Sequence, residues 1–339
     1  MAAKLNIGLI GAGRIGRLHG EHLAYRIPEV NLLAVSDIIF EAAERLAADF
    51  DVPNAYQDYR RILDDPAIDA VVICSSTDTH AQMIRESAEA GKHIFCEKPI
   101  HLDLAEIDKA LAAVEEAGVK LQVGFNRRFD PSFKRARDLV ASGKIGDPHV
   151  VRITSRDPEP PPLSYIKVSG GIFLDQTIHD FDMARYLIGD EVERIFATGA
   201  VLVDPAIGEA GDIDTTLITL WYRCGALGSI DNSRRAVYGY DQRVEVFGSE
   251  GVVIVSNNKP DTAELSDASG VHSSLPLFFF VERYSESYLA EMRAFVRAVL
   301  EDTPPPVTGV DGRIPVVMGY AAQRSLAEQR PVALDEIRP

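Results

Sequence analysis

A glycine-rich turn constrains this chain more than any other feature. The apolar run Leu5–Ile10 ends in Gly11-Ala12-Gly13-Arg14-Ile15-Gly16, and apolar residues at helical spacing follow. Strand, GxGxxG turn and helix together form the arrangement that holds a dinucleotide pyrophosphate. Gly11 permits the tight turn, Gly13 lets the backbone approach the phosphates, and Gly16 lets the helix pack close to the strand. The helix start at Arg14 and Ile15 presents N–H groups and a partial positive charge. Any βα turn can carry such glycines, so the second half of the signal matters. Asp37 ends the next apolar run, 21 residues after Gly16. Its carboxylate can accept from both adenosine ribose hydroxyls and would repel a 2′-phosphate. Ile38 and Ile39 follow and supply no Arg to bind one. The reading is NAD in preference to NADP.

The 339 residues suggest two domains. Over residues 1–125, strands at 5–10, 31–36, 70–74, 93–96 and 121–124 alternate with helical spacing at 15–24, 41–49, 79–90 and 104–117. Alternation with strands that are apolar throughout predicts an α/β domain, a Rossmann doubly wound parallel sheet that binds NAD. Over residues 126–339 the pattern changes. A helix at 132–142 is followed by strands at 149–155, 194–203, 214–222, 226–232, 243–247 and 252–256, with helices at 286–301 and 312–328. Thr215 to Tyr222 alternates in the manner of a half-buried antiparallel strand. This predicts a C-terminal α+β domain on a large, mainly antiparallel open sheet, the place for substrate binding and oligomerisation.

A formal net charge of -16 repels phosphate backbones and argues against nucleic acid as a partner. No run approaches the roughly 18 apolar residues of a membrane helix. Glycines interrupt the early apolar run, which does not read as a signal peptide. Cys74, Cys96 and Cys224 have no metal-type spacing and read as core thiols of a reducing compartment. The expectation is a cytoplasmic protein, with no metal site. His19 and His22, three apart on the first helix, read as a polar helix face.

Three segments carry chemistry. The strand at 70–74 runs into Ser75-Ser76-Thr77-Asp78-Thr79-His80, where Ser75, Thr77 and His80 either line the cofactor or serve the next helix, Thr77 or Asp78 as its cap. The strand at 93–96 runs into Glu97-Lys98-Pro99, which places a Lys where strand ends face the ligand crevice. Alone, such a Lys reads as a solvated loop residue. Gly170-Gly171 precedes Asp175, His179 and Asp182. On one helix Asp175 and His179 share a face, away from Leu174, Ile178, Phe181 and Ile188. The plain alternative is a solvated i,i+4 pair.

The GxGxxG start, Asp37, Glu97-Lys98-Pro99 and Gly170-Gly171…Asp175-xxx-His179 occur together and in order. The chain resembles the glucose–fructose oxidoreductase / inositol dehydrogenase / rhizopine-catabolism (Gfo/Idh/MocA) family over essentially its whole length. The resemblance implies a homo-oligomer, a tetramer, with the open sheet at its interface. It implies that Lys98, Asp175 and His179 are catalytic and that Glu97 and Lys98 flank the cofactor. Gly124-Phe125-Asn126-Arg127-Arg128-Phe129-Asp130, Ser155-Arg156-Asp157-Pro158 and Tyr238-Gly239-Tyr240-Asp241-Gln242-Arg243 are similar to the inositol-oxidising branch. By that similarity Asn126, Asp157 and Tyr240 touch substrate hydroxyls together with Lys98, Asp175 and His179. The plain reading of Asp157 and Tyr240 is a turn Asp and a strand-end Tyr.

The implied reaction is NAD-dependent oxidation of a secondary alcohol of a cyclic polyol, myo-inositol to its 2-keto product first. Another inositol isomer, or a sugar at C1, is the alternative. A neutral His, with its ordinary pKa of about 6.5, suits the proton acceptor at His179. The Lys98 ammonium can stabilise charge developing on the oxygen. In the other assignment Lys98 is the base, its pKa lowered by burial and the cofactor ring. Asp175 either orients His179 or binds a neighbouring hydroxyl. A non-catalytic NAD-sensing regulator on the same fold is the rival of another class, but it should lose the Lys or the His, and both are kept here.

Overall fold

The computed structural model describes residues 4–339 and divides into two compact units. The first holds the chain up to Asn126 together with Glu286–Ile314 and Pro339, the second Arg127–Ser285 and Pro315–Arg338.

In the first unit β1 (Leu5–Ile10), β2 (Val30–Ser36), β3 (Asn54–Tyr56), β4 (Ala70–Ile73), β5 (His93–Glu97) and β6 (Leu121–Gly124) form one sheet, ordered β3-β2-β1-β4-β5-β6. Every pair is parallel. Ile7, Leu9, Val71, Val72, Ile94 and Phe95 are fully buried, the two-sided burial that the continuous apolar runs require. The connecting helices are Arg14–Glu21, Phe40–Asp49, Arg60–Leu63, Thr77–Glu89 and Leu104–Ala117. The first continues as one π-helical turn, His22–Arg26. His19 and His22 are buried, so the expected polar helix face is corrected: both rings are interior groups.

A helix from far along the chain completes this unit. The expected second domain, 126–339, included it, but Leu289, Met292, Phe295 and Val296 of Ser285–Leu300 join Leu5, Leu9, Leu23 and Phe95 in one core. Burial of that apolar face decides where the helix belongs.

In the second unit β7 (Pro148–Arg156), β8 (Val192–Ala200), β9 (Thr215–Tyr222), β10 (Leu227–Ser233), β11 (Asp241–Gly248) and β12 (Val252–Val255) carry the main sheet. A hairpin of β13 (Glu264–Asp267) and β14 (Gly270–Ser273) stands apart from it, and the two-residue β15 (Val332–Ala333) closes the order β12-β11-β7-β10-β9-β8-β15. Only β7 and β10 pair in parallel. One face, with Val151, Ile153, Ile195, Ile218, Leu220, Ile230 and Val246, is buried; the helix Ile178–Ile188 packs against β7. Cys96 is buried and Cys74 half-buried, whereas Cys224 is exposed in the turn after β9, so the core reading fails for that thiol.

Candidate active site

The cofactor half of the site is built at the C-terminal ends of β1 and β4, the neighbouring strands from which the sheet order runs outward both ways. Gly11 has φ +99°, and a Cβ there would lie 2.6 Å from the Cys74 carbonyl. A Cβ on Gly16 would lie 1.9 Å from the Gly11 carbonyl oxygen. Neither position admits a side chain. At Gly13 a Cβ would meet nothing within 4 Å, so that backbone borders open space. The helix Arg14–Glu21 begins there without a side-chain cap. An uncapped helix start beside an open cradle fits a pyrophosphate. Asp37 Oδ2 accepts the Ala12 N–H at 2.7 Å and Oδ1 the Ile39 N–H at 2.8 Å. The carboxylate is thereby tied to the glycine turn, and its remaining lone pairs suit ribose hydroxyls. Ile38 and Ile39 are exposed and bring no cation to the spot. These residues fit NAD.

The strand ends β4 and β5 are braced to each other. Ser75 Oγ lies 2.7 Å from Thr79 Oγ1, and the helix Thr77–Glu89 starts without a side-chain cap, so neither Thr77 nor Asp78 serves in that way. The buried ring of His80 places Nδ1 2.8 Å from the Pro99 carbonyl oxygen and Nε2 3.0 Å from that of Ser75. Expected at the cofactor, His80 instead lies between the Ser75 loop and the Lys98-Pro99 turn, and its one N–H donates to the backbone carbonyl of one of them. Glu97 is a second correction. Its Oε1 lies 2.8 Å from His19 Nε2, turned inward. Lys98 is half-buried, directly after β5, with a cis bond to Pro99. Asn126 is buried, and its Nδ2 meets no partner among the described residues.

In the second unit Gly170 and Gly171, with φ +85° and +79°, open the short helix Gly171–Asp175. A Cβ on Gly171 would lie 2.8 Å from Asp212 Oδ1. The single helix expected through Asp175 and His179 is broken at Gln176 and Thr177 and restarts as Ile178–Ile188. Side chains explain the break. Gln176 Nε2 donates to the carbonyls of Ser155 and Ser233 at 3.2 and 3.1 Å, and Thr177 Oγ1 to Asn232 Oδ1 at 2.7 Å, all on β7 and β10. Asp175 thus ends one helix and His179 lies in the first turn of the next, both half-buried.

Two buried arginines organise what surrounds them. Arg234 Nη1 donates to Asp175 Oδ2 at 3.1 Å and Nη2 to Asp212 Oδ2 at 3.4 Å; Asp175 Oδ1 accepts Tyr165 OH at 2.9 Å. Asp212 Oδ1 accepts the Ile172 N–H at 3.1 Å, which fixes the short helix. Arg127 Nη1 donates to Asp180 Oδ1 at 2.7 Å and Nη2 to Tyr240 OH at 3.2 Å, while Asn232 Nδ2 donates to Asp180 Oδ2 at 2.8 Å. Asp157, Asp175 and Tyr240 therefore belong to one polar cluster. Sequence reasoning missed Arg234 and Tyr165. A signal existed for Arg234: it keeps the parity of the buried positions Gly228, Ile230 and Asn232, and an Arg on the buried face of a strand requires carboxylate partners.

The Asp157 N–H donates to the Ser233 carbonyl at 2.9 Å, and its own carbonyl accepts the Ala236 N–H at 2.6 Å. Burial pushes the Asp157 carboxyl up to about 7; Arg234 and Arg127 oppose the rise, and Asp175 and Asp180 add to it. The folded chain thus keeps a proton up to about 7 that an unfolded carboxyl releases near 3.8. The resulting cost is absent at lower pH, grows as pH rises between those values and is complete above the folded value. Asp157→Asn, which cannot ionise, is expected to gain stability relative to the parent chain across that window. A Tm difference constant from about pH 4 to about pH 8 would refute this.

Comparison with known proteins agrees with this geometry. Residues 5–125 match the family described as an oxidoreductase family with NAD-binding Rossmann fold, and 133–254 match the GFO/IDH/MocA C-terminal domain. The chain is 52% identical over 333 residues to the myo-inositol 2-dehydrogenase of Thermotoga maritima, covering 98% of this chain and 99% of that one. It is 46% identical over 331 residues to the inositol 2-dehydrogenase of Rhizobium meliloti, covering 97% and 99%. Among solved structures, a myo-inositol dehydrogenase of Corynebacterium glutamicum superimposes with a TM-score of 0.93 at 37% identity, covering 99% of each chain. The scyllo-inositol dehydrogenase of Lactobacillus casei, solved with NAD(H) and scyllo-inositol, gives 0.92 at 29%, covering 98% of this chain and 99% of that one.

Proposed function

We infer the function from one premise: the chain belongs to the Gfo/Idh/MocA oxidoreductase family. It is an NAD-dependent oxidoreductase acting on CH–OH groups, and its substrate is myo-inositol, oxidised to the 2-keto product. The observation that carries the substrate reading is the cluster of Asp157, Asp175 and Tyr240 around two buried arginines. A ring with several similar alcohols is placed by hydrogen bonds to the hydroxyls that do not react, and such a site rejects analogues that leave its polar groups unpaired.

NAD, held by the glycine turn and Asp37, supplies the hydride acceptor. A ring nitrogen of His179 takes the proton of the reacting hydroxyl. Lys98 Nζ donates a hydrogen bond to the same oxygen and stabilises its developing negative charge. Asp175 is held by Tyr165 and Arg234 and accepts from a neighbouring hydroxyl. Asp157 and Tyr240, with Asn126, bind further hydroxyls.

The test is NADH absorbance with inositol isomers and hexoses, each supplied with NAD and with NADP. myo-Inositol with NAD is expected to give the highest kcat/KM. Reaction of hexoses with no inositol isomer would replace the substrate reading, and equal use of NADP would remove the role given to Asp37. Full NAD binding with no reduction on any polyol would favour the regulator.

No helix among the described residues is long and apolar enough to cross a membrane. We propose, on the family likeness, that the protein works in the cytoplasm as a homo-oligomer, a tetramer. Leu217, Leu227, Phe247, Val252 and Ile254 are exposed along the second unit's sheet, an apolar face that a second copy would cover. Light scattering reads the mass, and a monomer at micromolar concentration would end that proposal.

A further inference from the structure

Behind the Glu97-Lys98-Pro99 turn the first unit holds a cluster that the reaction does not use. His19, Glu97 and Glu291 each bring one ligand atom, all within 4.8 Å of one another. His19 Nε2 lies 2.8 Å from Glu97 Oε1 and 4.0 Å from Glu291 Oε1. His19 and Glu291 are fully buried. The His19 ring is packed edge-on between Phe95 and Tyr288, at 5.2 and 5.8 Å. The Glu97 carboxylate lies against the backbone of its β6 partner, where a Cβ on Gly124 would come 3.0 Å from Oε2. Neither carboxyl oxygen of Glu291 has a hydrogen-bond partner among the described residues. Other titratable groups nearby include the Cys74 and Cys96 thiols, His80, Tyr288 and His22, which itself feels Arg26 and Arg293.

We propose that Glu291 is a positioning residue for Lys98: it carries a proton and, with His19, holds Glu97, and so sets the strand end on which Lys98 stands. The proposal rests on the catalytic reading of Lys98. Two ionised carboxylates cannot share a dry space this small. Glu97 Oε1 lies within hydrogen-bond distance of His19 Nε2, whereas Glu291 Oε1 stands 4.0 Å from it. Burial and the charge of Glu97 both push the Glu291 carboxyl well above the usual range. A neutral Glu291 is a hydrogen-bond donor, and a carboxyl oxygen of Glu97 lies within 4.8 Å of it. Glu97 is the last residue of β5, and Lys98 is next in the chain. The residue that the cluster holds is therefore joined directly to Lys98, whose ammonium must meet the reacting oxygen. A positioning group held this way can change the rate without touching cofactor or substrate.

The experiment compares the full enzyme with Glu291→Leu, Glu291→Gln, Lys98→Met and the double variant Lys98→Met/Glu291→Leu. Removing the donor in Glu291→Leu should lower kcat on myo-inositol about tenfold, with NAD affinity changed less than about threefold. Glu291→Gln keeps a neutral donor of the same size and should restore kcat. The double variant should turn over no more slowly than Lys98→Met, since Glu291 acts through Lys98. The infrared difference spectrum of the parent chain minus Glu291→Gln should show the C=O stretch of a protonated carboxylic acid at about pH 8, above the range in which Asp157 keeps its proton. That band still reports on Glu291 should Glu291→Leu fail to fold. Glu291→Gln as slow as Glu291→Leu, an additive loss in the double variant, or absence of the band would overturn the proposal. So would a stoichiometric metal in the purified protein that Glu291→Gln loses, which would make the cluster a cation site. Near-normal turnover in Lys98→Met would instead end the catalytic reading of Lys98, leaving the protonation of Glu291 to the infrared result.

Discussion

Replacing Lys98 by Met, or His179 by Ala, is expected to lower kcat by about 10² or more, the scale of lost charge stabilisation or lost proton transfer. A hundredfold loss corresponds to about 2.7 kcal/mol of barrier. For His179→Ala the NAD dissociation constant, read by fluorescence, should hardly move, because the groups proposed to hold NAD are the glycine turn and Asp37, and His179 is not among them. For Lys98→Met the loss in kcat should exceed any loss in cofactor affinity. The pH profile separates the two proton assignments. If His179 is the acceptor, its variant loses the acid limb of the kcat/KM profile, whereas Lys98→Met keeps that limb and lowers the plateau. The reverse pattern would make Lys98 the base. Near-normal turnover in His179→Ala would leave that residue as a half-buried helix-start histidine with no part in the chemistry.

What the sequence made legible followed from local rules. The glycine fingerprint and Asp37 were readable because each residue type answers to a backbone or charge requirement at its own position. The helix Leu104–Ala117 was readable to the residue, because Asp103 caps it, accepting the Ala105 N–H at 2.8 Å, and Gly118 ends it at φ +65°. Long-range packing was another matter. The amphipathic pattern of Ser285–Leu300 announces a buried face but does not say which sheet buries it. The three residues of β3, the two of β15 and the wholly exposed hairpin β13–β14 carry no period to read. The break at Gln176 and Thr177 was invisible for a related reason: its cause is hydrogen bonding to Ser155, Asn232 and Ser233, the last two more than fifty residues away. His19 was misread because two polar residues on a helix suggest solvent until the partner, Glu97, is known to lie opposite.

Arg234→Met should be the most damaging change in the second unit that removes no proposed catalytic group. Its side chain is 1% exposed, and its fork joins Asp175 to Asp212. Removing the cation leaves both carboxylates in a poorly hydrated space already shared with Asp157. Breaking a buried pair from one side costs about 3–5 kcal/mol, since the remaining charge keeps its desolvation penalty without compensation. For a unit of this size that corresponds to a fall in Tm of roughly 6–20 °C. The loss extends to the chemistry. Asp212 would lose one of the contacts that hold it under the Ile172 N–H, and Asp175 would lose a partner that aims it, keeping Tyr165. Arg234 is also the strongest of the influences that hold the Asp157 carboxyl down, so its removal should drive that carboxyl above about 7. The KM for myo-inositol should rise and the pH optimum should shift upward, while NAD affinity stays unchanged. Arg234→Lys keeps the charge without the fork and should fall between the two. A variant Arg234→Met that melts within about 2 °C of the parent and keeps its KM would show that Asp175 is aimed by something other than this arginine.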